Sequence, residues 1–376
     1  MQTNKHSQKL SFSGLLTCLL ATTLLLAACT KEGDTIYQPN PDEEQPPTTP
    51  LVTVIYGPNS LGDRSYCDKI YRGVETAAKK YGLRTLQLSP ETEEQGLAYL
   101  ETMFRQMESA TDTVRRLFVT PSPVYDAYIR SNNKRLENNP NADLLYMETT
   151  TPLNGKGSTF FIDYYGAMYM SGCMIHYCSP KLVTLLLANP YTQSVVEAGE
   201  GFVAGYNDTP QQNNRSHELH LRYLSEERVG GFTIADSTAM RIYEEEKDYL
   251  EGPDNVVFVP ICGGAMHAFF RILRYWLIGD CYVGIDGDMN DDKDYCLFST
   301  LKHIDWVMED YIGMWINGSM PKHQTLGLAD GATDVVTADY TFYQALWSDK
   351  WVWSDVLNMD SLRQVAIKKE EERYEK

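Results

Sequence analysis

The stretch YVGIDGDMNDDKDYCLFSTLKHIDWVMEDYIGMWINGSMPKHQTLGL, Tyr282 to Leu328, decides how this chain folds. It opens with a short apolar run, Tyr282-Val283-Gly284-Ile285, that stops on Asp286. An acidic loop, Gly287 to Asp294, leads to a second strand-like run from Tyr295 to Leu301, which ends at Lys302. Ile304 to Ile316 then carries apolar residues at helical spacing (Ile304, Val307, Met308, Ile312, Trp315), and Gly318 stands where a left-handed helix cap is expected. In α/β proteins with parallel sheets, ligands bind beyond the carboxyl ends of strands. Asp286 and Lys302 each stand at such an end, so they are the first candidates to hold a small polar ligand from two sides.

Upstream, strand and helix patterns alternate. Val52–Tyr56, Arg84–Leu88, Arg116–Thr120 and Asp143–Glu148 read as strands. Between them Tyr66–Tyr81, Thr92–Glu108 and Tyr125–Glu137 read as helices. The alternation then restarts. Tyr165–Tyr177 is a helix carrying Gly166, Ala167, Ser171 and Gly172, small residues that permit close packing. Strands are expected at Lys181–Ala188, Glu227–Ile234 and Val256–Ile261, with helices at Ser194–Tyr206, Thr238–Leu250 and, after Cys262-Gly263-Gly264-Ala265, at Met266–Leu277. Two such series predict an α/β protein of two doubly wound lobes with parallel sheets, joined near Thr149 to Phe161. The expected division gives 51–150 with 298–320 to the first lobe and 158–297 with 321–345 to the second. Residues 346–376 then form an extension with Trp347, Trp351 and Trp353 and a charged helix from Asp360.

The beginning of the chain reads as an address. Lys5 and Lys9 precede an apolar run, Leu15 to Ala28, which ends in Leu26-Ala27-Ala28-Cys29. That pattern resembles a bacterial lipoprotein signal, so residues 1–28 are expected to be removed and Cys29 to carry lipid. The alternatives are an ordinary signal peptide or a single membrane anchor, for which the run is short. The expected location is the bacterial cell envelope. Thr30 to Pro50 lacks apolar periodicity and is rich in Pro, Thr, Asp and Glu, as a tether is. The whole chain has a net charge of −18 at pH 7, a balance that argues against nucleic acid or a polyanionic ligand as partner. Cys67, Cys173, Cys178, Cys262, Cys281 and Cys296 have no metal-site spacing and mostly lie in apolar runs, where a buried thiol is expected, although an oxidising compartment would allow pairing.

Taken together, several short motifs resemble the basic membrane protein family, which includes purine nucleoside receptor lipoproteins. Leu61-Gly62-Asp63-Arg64-Ser65-Tyr66 is similar to its Asp-x-Ser-Phe-Asn motif, Gly201-Phe202 with Ala204-Gly205 to its second-lobe helix, and Gly263-Gly264 to its turn after a buried strand. Val283-Gly284-Ile285-Asp286, Lys302-His303-Ile304-Asp305 and Leu326-Gly327-Leu328 with Asp330-Gly331 resemble its closing segments in order and spacing. The resemblance covers Val52 to Val336. It implies a type I periplasmic-binding-protein fold with three crossover segments and a ligand in the cleft between the lobes. It also implies that Asp63, Ser65 and Tyr66 lie on the first-lobe loop, Tyr66 stacking on a base, and that Asp286 and Lys302 hydrogen-bond ribose hydroxyls. Phe232 would supply a second-lobe aromatic, and Gly263 and Gly264 would let the backbone approach the ligand. Three departures stand out: Cys67 where the family has Asn, Tyr165 in place of an acidic residue, and Ala188-Asn189-Pro190 in place of a Gly-Gly turn.

Sharper chemistry finds little support in the residues. The run Asp286 to Asp292 is not a calcium loop of the helix-loop-helix kind, because Asp291 stands where Gly is needed and Leu297 where the bidentate Glu belongs. It also misses the spacing of the Asp-rich metal motif of nucleoside hydrolases. No nucleophile elbow, zincin pair or phosphate loop is present. The expectation is therefore a binding protein that is no enzyme, with no cofactor and no metal. It would capture a neutral small molecule, a purine nucleoside first, and deliver it to an ABC-type permease. The alternatives are a sugar or polyol ligand, a metal-dependent nucleoside-cleaving enzyme relying on the Asp286–Asp292 loop, and a surface lipoprotein without a transport role.

Overall fold

The computed structural model describes residues 48–109, 113–178, 180–210, 218–250, 255–276, 280–292, 295–337 and 357–374. The expected signal, Cys29 as the expected lipid site, nearly all of the expected tether and Trp347, Trp351 and Trp353 lie outside the described residues. Residues Pro46 to Lys376 form one compact unit. Among the described residues, no helix is long and apolar enough to cross a membrane.

Two six-stranded sheets organise the unit. The first holds β1 (Leu51–Ile55), β2 (Arg84–Leu88), β3 (Arg116–Thr120), β4 (Ala142–Met147), β5 (Ser158–Ile162) and β11 (His323–Leu326), in the order β11-β5-β4-β3-β1-β2. All of its pairings are parallel. The second holds β6 (Leu182–Leu187), β7 (Glu218–Tyr223), β8 (Val256–Ile261), β9 (Cys281–Asp286), β10 (Cys296–Lys302) and β12 (Thr333–Val336), in the order β12-β10-β9-β8-β6-β7. There only the β10–β12 pair is antiparallel. The doubly wound α/β class expected from the sequence is what the chain forms. β6, β8 and β9 are buried along their whole length, which is why they read as unbroken apolar runs: helices cover a parallel sheet on both faces.

In the first sheet, side chains alternate between two cores. Leu145 and Met147 of β4 join Val52, Val54, Leu117 and Val119 on one face, while Leu144 and Tyr146 join Phe118 and Ile55 on the other. Helix α1 (Tyr66–Tyr81) buries Ile70, Val74, Ala77 and Ala78 on the first of these faces. It stops at Gly82, whose φ of 63° places it in the left-handed region, and Leu83 N–H returns to Ala78 O at 2.9 Å. Helix α2 is Glu93–Ser109, and a short α3 (Asp126–Asn132) runs on as a 3₁₀ turn to Leu136. The second sheet is flanked by α4 (Tyr165–Cys178), α5 (Gln193–Asp208), α6 (Asp236–Tyr249) and α7 (Met266–Trp276). Gly172, Gly201 and Gly205 let α4 and α5 pack backbone on backbone, the close approach the small residues predict.

Three segments carry the chain between the sheets: Asp163–Tyr164 between β5 and α4, His303 between β10 and α8 (Ile304–Asn317), and 327–332 between β11 and β12. Although α8 follows a second-sheet strand, it buries Ile304, Val307, Met308, Ile312 and Trp315 in the core of the first sheet, against α1. Helix α9 (Met359–Glu371) lies against α4 and adds Ala366 to the second-sheet core.

The pairings shift several expected boundaries. Ser158–Ile162, read as part of the joint, is a strand of the first sheet, so the first crossover begins at Asp163. Cys296–Lys302 belongs to the second sheet throughout, and His323–Leu326 to the first. No strand forms at Glu227–Ile234. Gly230 N–H turns back on Glu227 O at 3.0 Å, and Gly231, at φ 83°, crowds the backbone of Ala188. The edge strand lies earlier, at Glu218–Tyr223, where Leu221 and Tyr223 are exposed.

Candidate functional site

The site grows from the carboxyl ends of β4, β9 and β10 and the amino end of α1. Asp286 closes β9 with φ 63°, and Glu148, just past β4, has φ 55°. A non-glycine residue held in that region costs on the order of 1–2 kcal/mol, and such strain collects where side chains must be aimed. Both carboxylates are aimed at the seam between the lobes. Ser65 Oγ, from the start of α1, donates to Asp286 Oδ2 at 2.8 Å. Lys302, 4% exposed, places its ammonium 3.0 Å from Glu148 Oε1 and 5.2 Å from the centre of the Tyr66 ring. Lys69, one turn along α1, donates to the backbone oxygens of Asp286 and, at 2.9 Å, of Lys302. Tyr164, in the first crossover, donates its hydroxyl to Thr300 O at 2.6 Å and accepts from Asp286 N–H at 3.2 Å.

Two ammonium groups (Lys69 and Lys302) and two carboxylates (Asp286 and Glu148) thus pair in a largely buried cluster, with the Asp63 carboxylate close by at the start of α1. Burying unpaired charge is costly, so the cluster is stable only as a paired set, and a guest that leaves the pairing intact disturbs it least. Burial pushes the Glu148 carboxyl up, with Lys302 holding it down. Burial also raises the Tyr66 hydroxyl well above its usual range, reinforced by Glu148. Lys69 is lowered by burial and supported by Asp286. The Tyr66 hydroxyl and the Glu148 carboxylate lie against one another, each buried and without a hydrogen bond of good geometry.

The residues expected from the sequence come together here, with roles that differ from the simplest expectation. Asp63 is committed to the start of α1: Oδ1 accepts from Ser65 N–H at 2.9 Å and Asp68 N–H at 3.1 Å, and Oδ2 from Cys67 N–H at 2.9 Å. Its carboxyl is raised by burial, and those three donors hold it down. Gly264 faces Asp63 across the seam, and Gly263 lies under the half-buried ring of Phe232. The face of Tyr66 carries the Lys302 ammonium in this arrangement. Cys67, where the family motif has Asn, is buried at the start of α1. All six cysteines from Cys67 to Cys296 are buried thiols outside any disulfide. Glu148, Lys69 and Tyr164 are the residues sequence reasoning missed. Glu148 had a signal, since it ends an apolar run as Asp286 does. Among the described residues, no group of three or more His, Cys, Asp or Glu is placed to hold a metal ion.

By sequence, no protein-family profile and no curated protein matches the chain. Among solved structures, it is similar to an ABC transporter solute-binding protein from Aeropyrum pernix K1, with a TM-score of 0.62 and 15% identity over 87% of this chain and 86% of that one. It is also similar to a solute-binding protein from Burkholderia graminis C4D1M in complex with D-arabinose (TM-score 0.55, 13% identity, 77% of this chain and 96% of that one). A third is the 5-methylthioribose transporter solute-binding protein from Thermotoga lettingae TMO in complex with 5-methylthioribose (TM-score 0.52, 10% identity, 76% and 86%). At these identities the likeness establishes the fold: two α/β lobes of the type I periplasmic-binding-protein kind.

Proposed function

We propose that this chain is a solute-binding protein that holds a neutral, hydroxyl-bearing small molecule between its lobes. The observation that carries this reading is the cluster of paired charges in which Asp286 and Lys302 of the second lobe meet Ser65, Tyr66, Lys69 and Glu148 of the first. A carboxylate accepts from vicinal hydroxyls and an ammonium donates to them, so a ribose ring can exchange with the protein groups without adding charge. The pentose-type ligands of two proteins of the same fold are consistent with this chemistry. A purine nucleoside is the first choice, with Tyr66 and Phe232 as aromatic partners for its base and Gly263 and Gly264 as the open backbone beside it. A free sugar or polyol is the second reading, and one observation favours it: the Tyr66 face is covered by Lys302, which leaves the ring less free to stack. Glu148 joins the expected set as a hydroxyl or amide acceptor. Lipid on Cys29 and a permease partner in the envelope complete the reading, with binding rather than turnover as the activity.

A thermal-shift series on the chain lacking its first 29 residues tests it, with purine nucleosides, free purines, D-ribose, D-arabinose and calcium as additives. Ligand bound only to the native state raises the melting temperature as its concentration passes Kd. The expected result is a rise with nucleosides that Asp286→Ala removes. A rise with pentoses alone selects the sugar reading, and no rise with either sinks both.

A further inference from the structure

The C-terminal helix reaches the crossovers. Glu370 of α9 is 6% exposed, and its carboxylate accepts from Gly166 N–H at 2.7 Å, in the first turn of α4, and from Leu328 N–H at 2.9 Å, in the third crossover. A side chain at either Gly166 or Gly327 would collide with that carboxylate. Just past the helix, Arg373 Nη1 donates to both oxygens of Asp163 at 3.1 and 3.0 Å, and Tyr374 donates to Asp163 Oδ2 at 2.6 Å. Asp163 is fully buried in the first crossover, and its N–H donates to Leu326 O at 2.7 Å, where the third crossover begins. Arg373 also lies over the Tyr165 ring at 4.4 Å, and Arg363 pairs with Asp334 of β12. The side chains of one short helix and its tail therefore tie together two of the three segments through which the lobes are joined. In hinged proteins such segments absorb the backbone changes of opening and closing.

We propose that α9 is a hinge clasp: Glu370, Arg373 and Tyr374 grip Asp163, Gly166 and Leu328 and thereby hold the lobes in the arrangement in which Ser65 reaches Asp286, without any ligand. A clasp of this kind enlarges the fraction of molecules already competent to bind, and apparent affinity scales with that fraction. Arg373 also reaches Glu197 and Glu200 of α5, at 3.4 and 3.8 Å, so the grip joins the crossovers to the second lobe. Lys369 of the same helix instead pairs with Asp208 of α5, inside the second lobe, at 2.8 Å.

The test measures lobe separation in the full chain with no ligand, so its outcome is independent of what the cleft binds. Spin labels are placed at Lys134→Cys and Glu244→Cys, exposed positions on the first and second lobes, with Cys18 and Cys29 changed to Ser and the six buried thiols left in place. Pulsed dipolar spectroscopy of this background is expected to give one narrow distance distribution. At pH 9, above the raised value of the Glu370 carboxyl, Glu370→Gln turns an amide N–H₂ toward a backbone donor, and Arg373→Ala releases Asp163. Each is expected to broaden the distribution toward longer distances, whereas Lys369→Ala leaves it unchanged. Identical distributions in all of these variants overturn the clasp, as does an equal shift in Lys369→Ala, which would show that helix packing alone matters. Should Glu370→Gln fail to fold, Tyr374→Phe removes a single hydroxyl from Asp163: a smaller shift in the same direction supports the clasp, and no shift overturns it.

Discussion

Lys302 shows what one residue in this seam must satisfy. Its ammonium has left water for the neighbourhood of Glu148 and two tyrosine rings, Tyr66 at 5.2 Å and Tyr164 at 5.8 Å. Removing one partner of a buried pair leaves a lone charge and typically costs about 3–5 kcal/mol, whereas replacing both by apolar groups is often neutral. Glu148→Ala is therefore expected to lower the stability measured by urea unfolding by about 3 kcal/mol, and the double change Glu148→Ala with Lys302→Met to restore most of it. A single variant as stable as the parent would show that the pair is not desolvated. Glu370 gives a second residue-scale outcome. Burial raises its carboxyl from about 4.5 to about 8, Asp163 and Asp330 add to the rise, and the N–H groups of Leu328 and Gly166 oppose it. Arg373, three residues on, is bound to Asp163. A carboxyl raised in the folded state contributes stability that is fully present below its unfolded value and lost as pH rises through the folded one. Between pH 5 and 9 the melting temperature of the parent should therefore fall relative to that of Glu370→Gln. A difference between the two that stays flat with pH would contradict the assignment.

At the scale of elements, the legible parts are those whose signal is local. β8 and β9 are buried on both faces and appear as apolar runs, and α1 and α8 announce themselves by apolar spacing and by Gly82 and Gly318, both left-handed as caps require. Asp286 and Lys302 were legible for the same reason: each closes an apolar run at a strand end. Glu148 closes one as well, but only tertiary structure shows that the end of β4 meets the end of β10. β7 was hidden because it inverts the usual pattern: His220 and Arg222 face inward to pair with Glu245 and Glu246 of α6, while the apolar Leu221 and Tyr223 face outward at the sheet edge. The more apolar Val229-Gly230-Gly231-Phe232 nearby is a turn held by its glycines. Strand order was out of reach for local patterns too. β5 and β11 are adjacent in the sheet though more than 150 residues separate them in the chain, so the lobe boundaries depend on pairing and not on periodicity.

At the scale of the molecule, the chain passes three times between two sheets, and its binding candidates collect where those passages meet the strand ends. The whole chain carries a net charge of −18, whereas at the seam Lys69 and Lys302 lie against Asp286 and Glu148, a pairing that a neutral guest would leave undisturbed. The C-terminal helix adds a second set of groups on the crossovers themselves, so the cleft and its hinge are held by different residues and can be varied separately. The central claim is that Asp286 anchors a ribosyl ligand between the lobes, and isothermal titration of the soluble chain with a purine nucleoside and with D-ribose tests it most directly. The account predicts one saturable site per chain, weakened about tenfold or more in Asp286→Ala, the loss expected when a charged hydrogen-bond partner is removed. Binding that is unchanged in Asp286→Ala, or no heat with either compound, would contradict it.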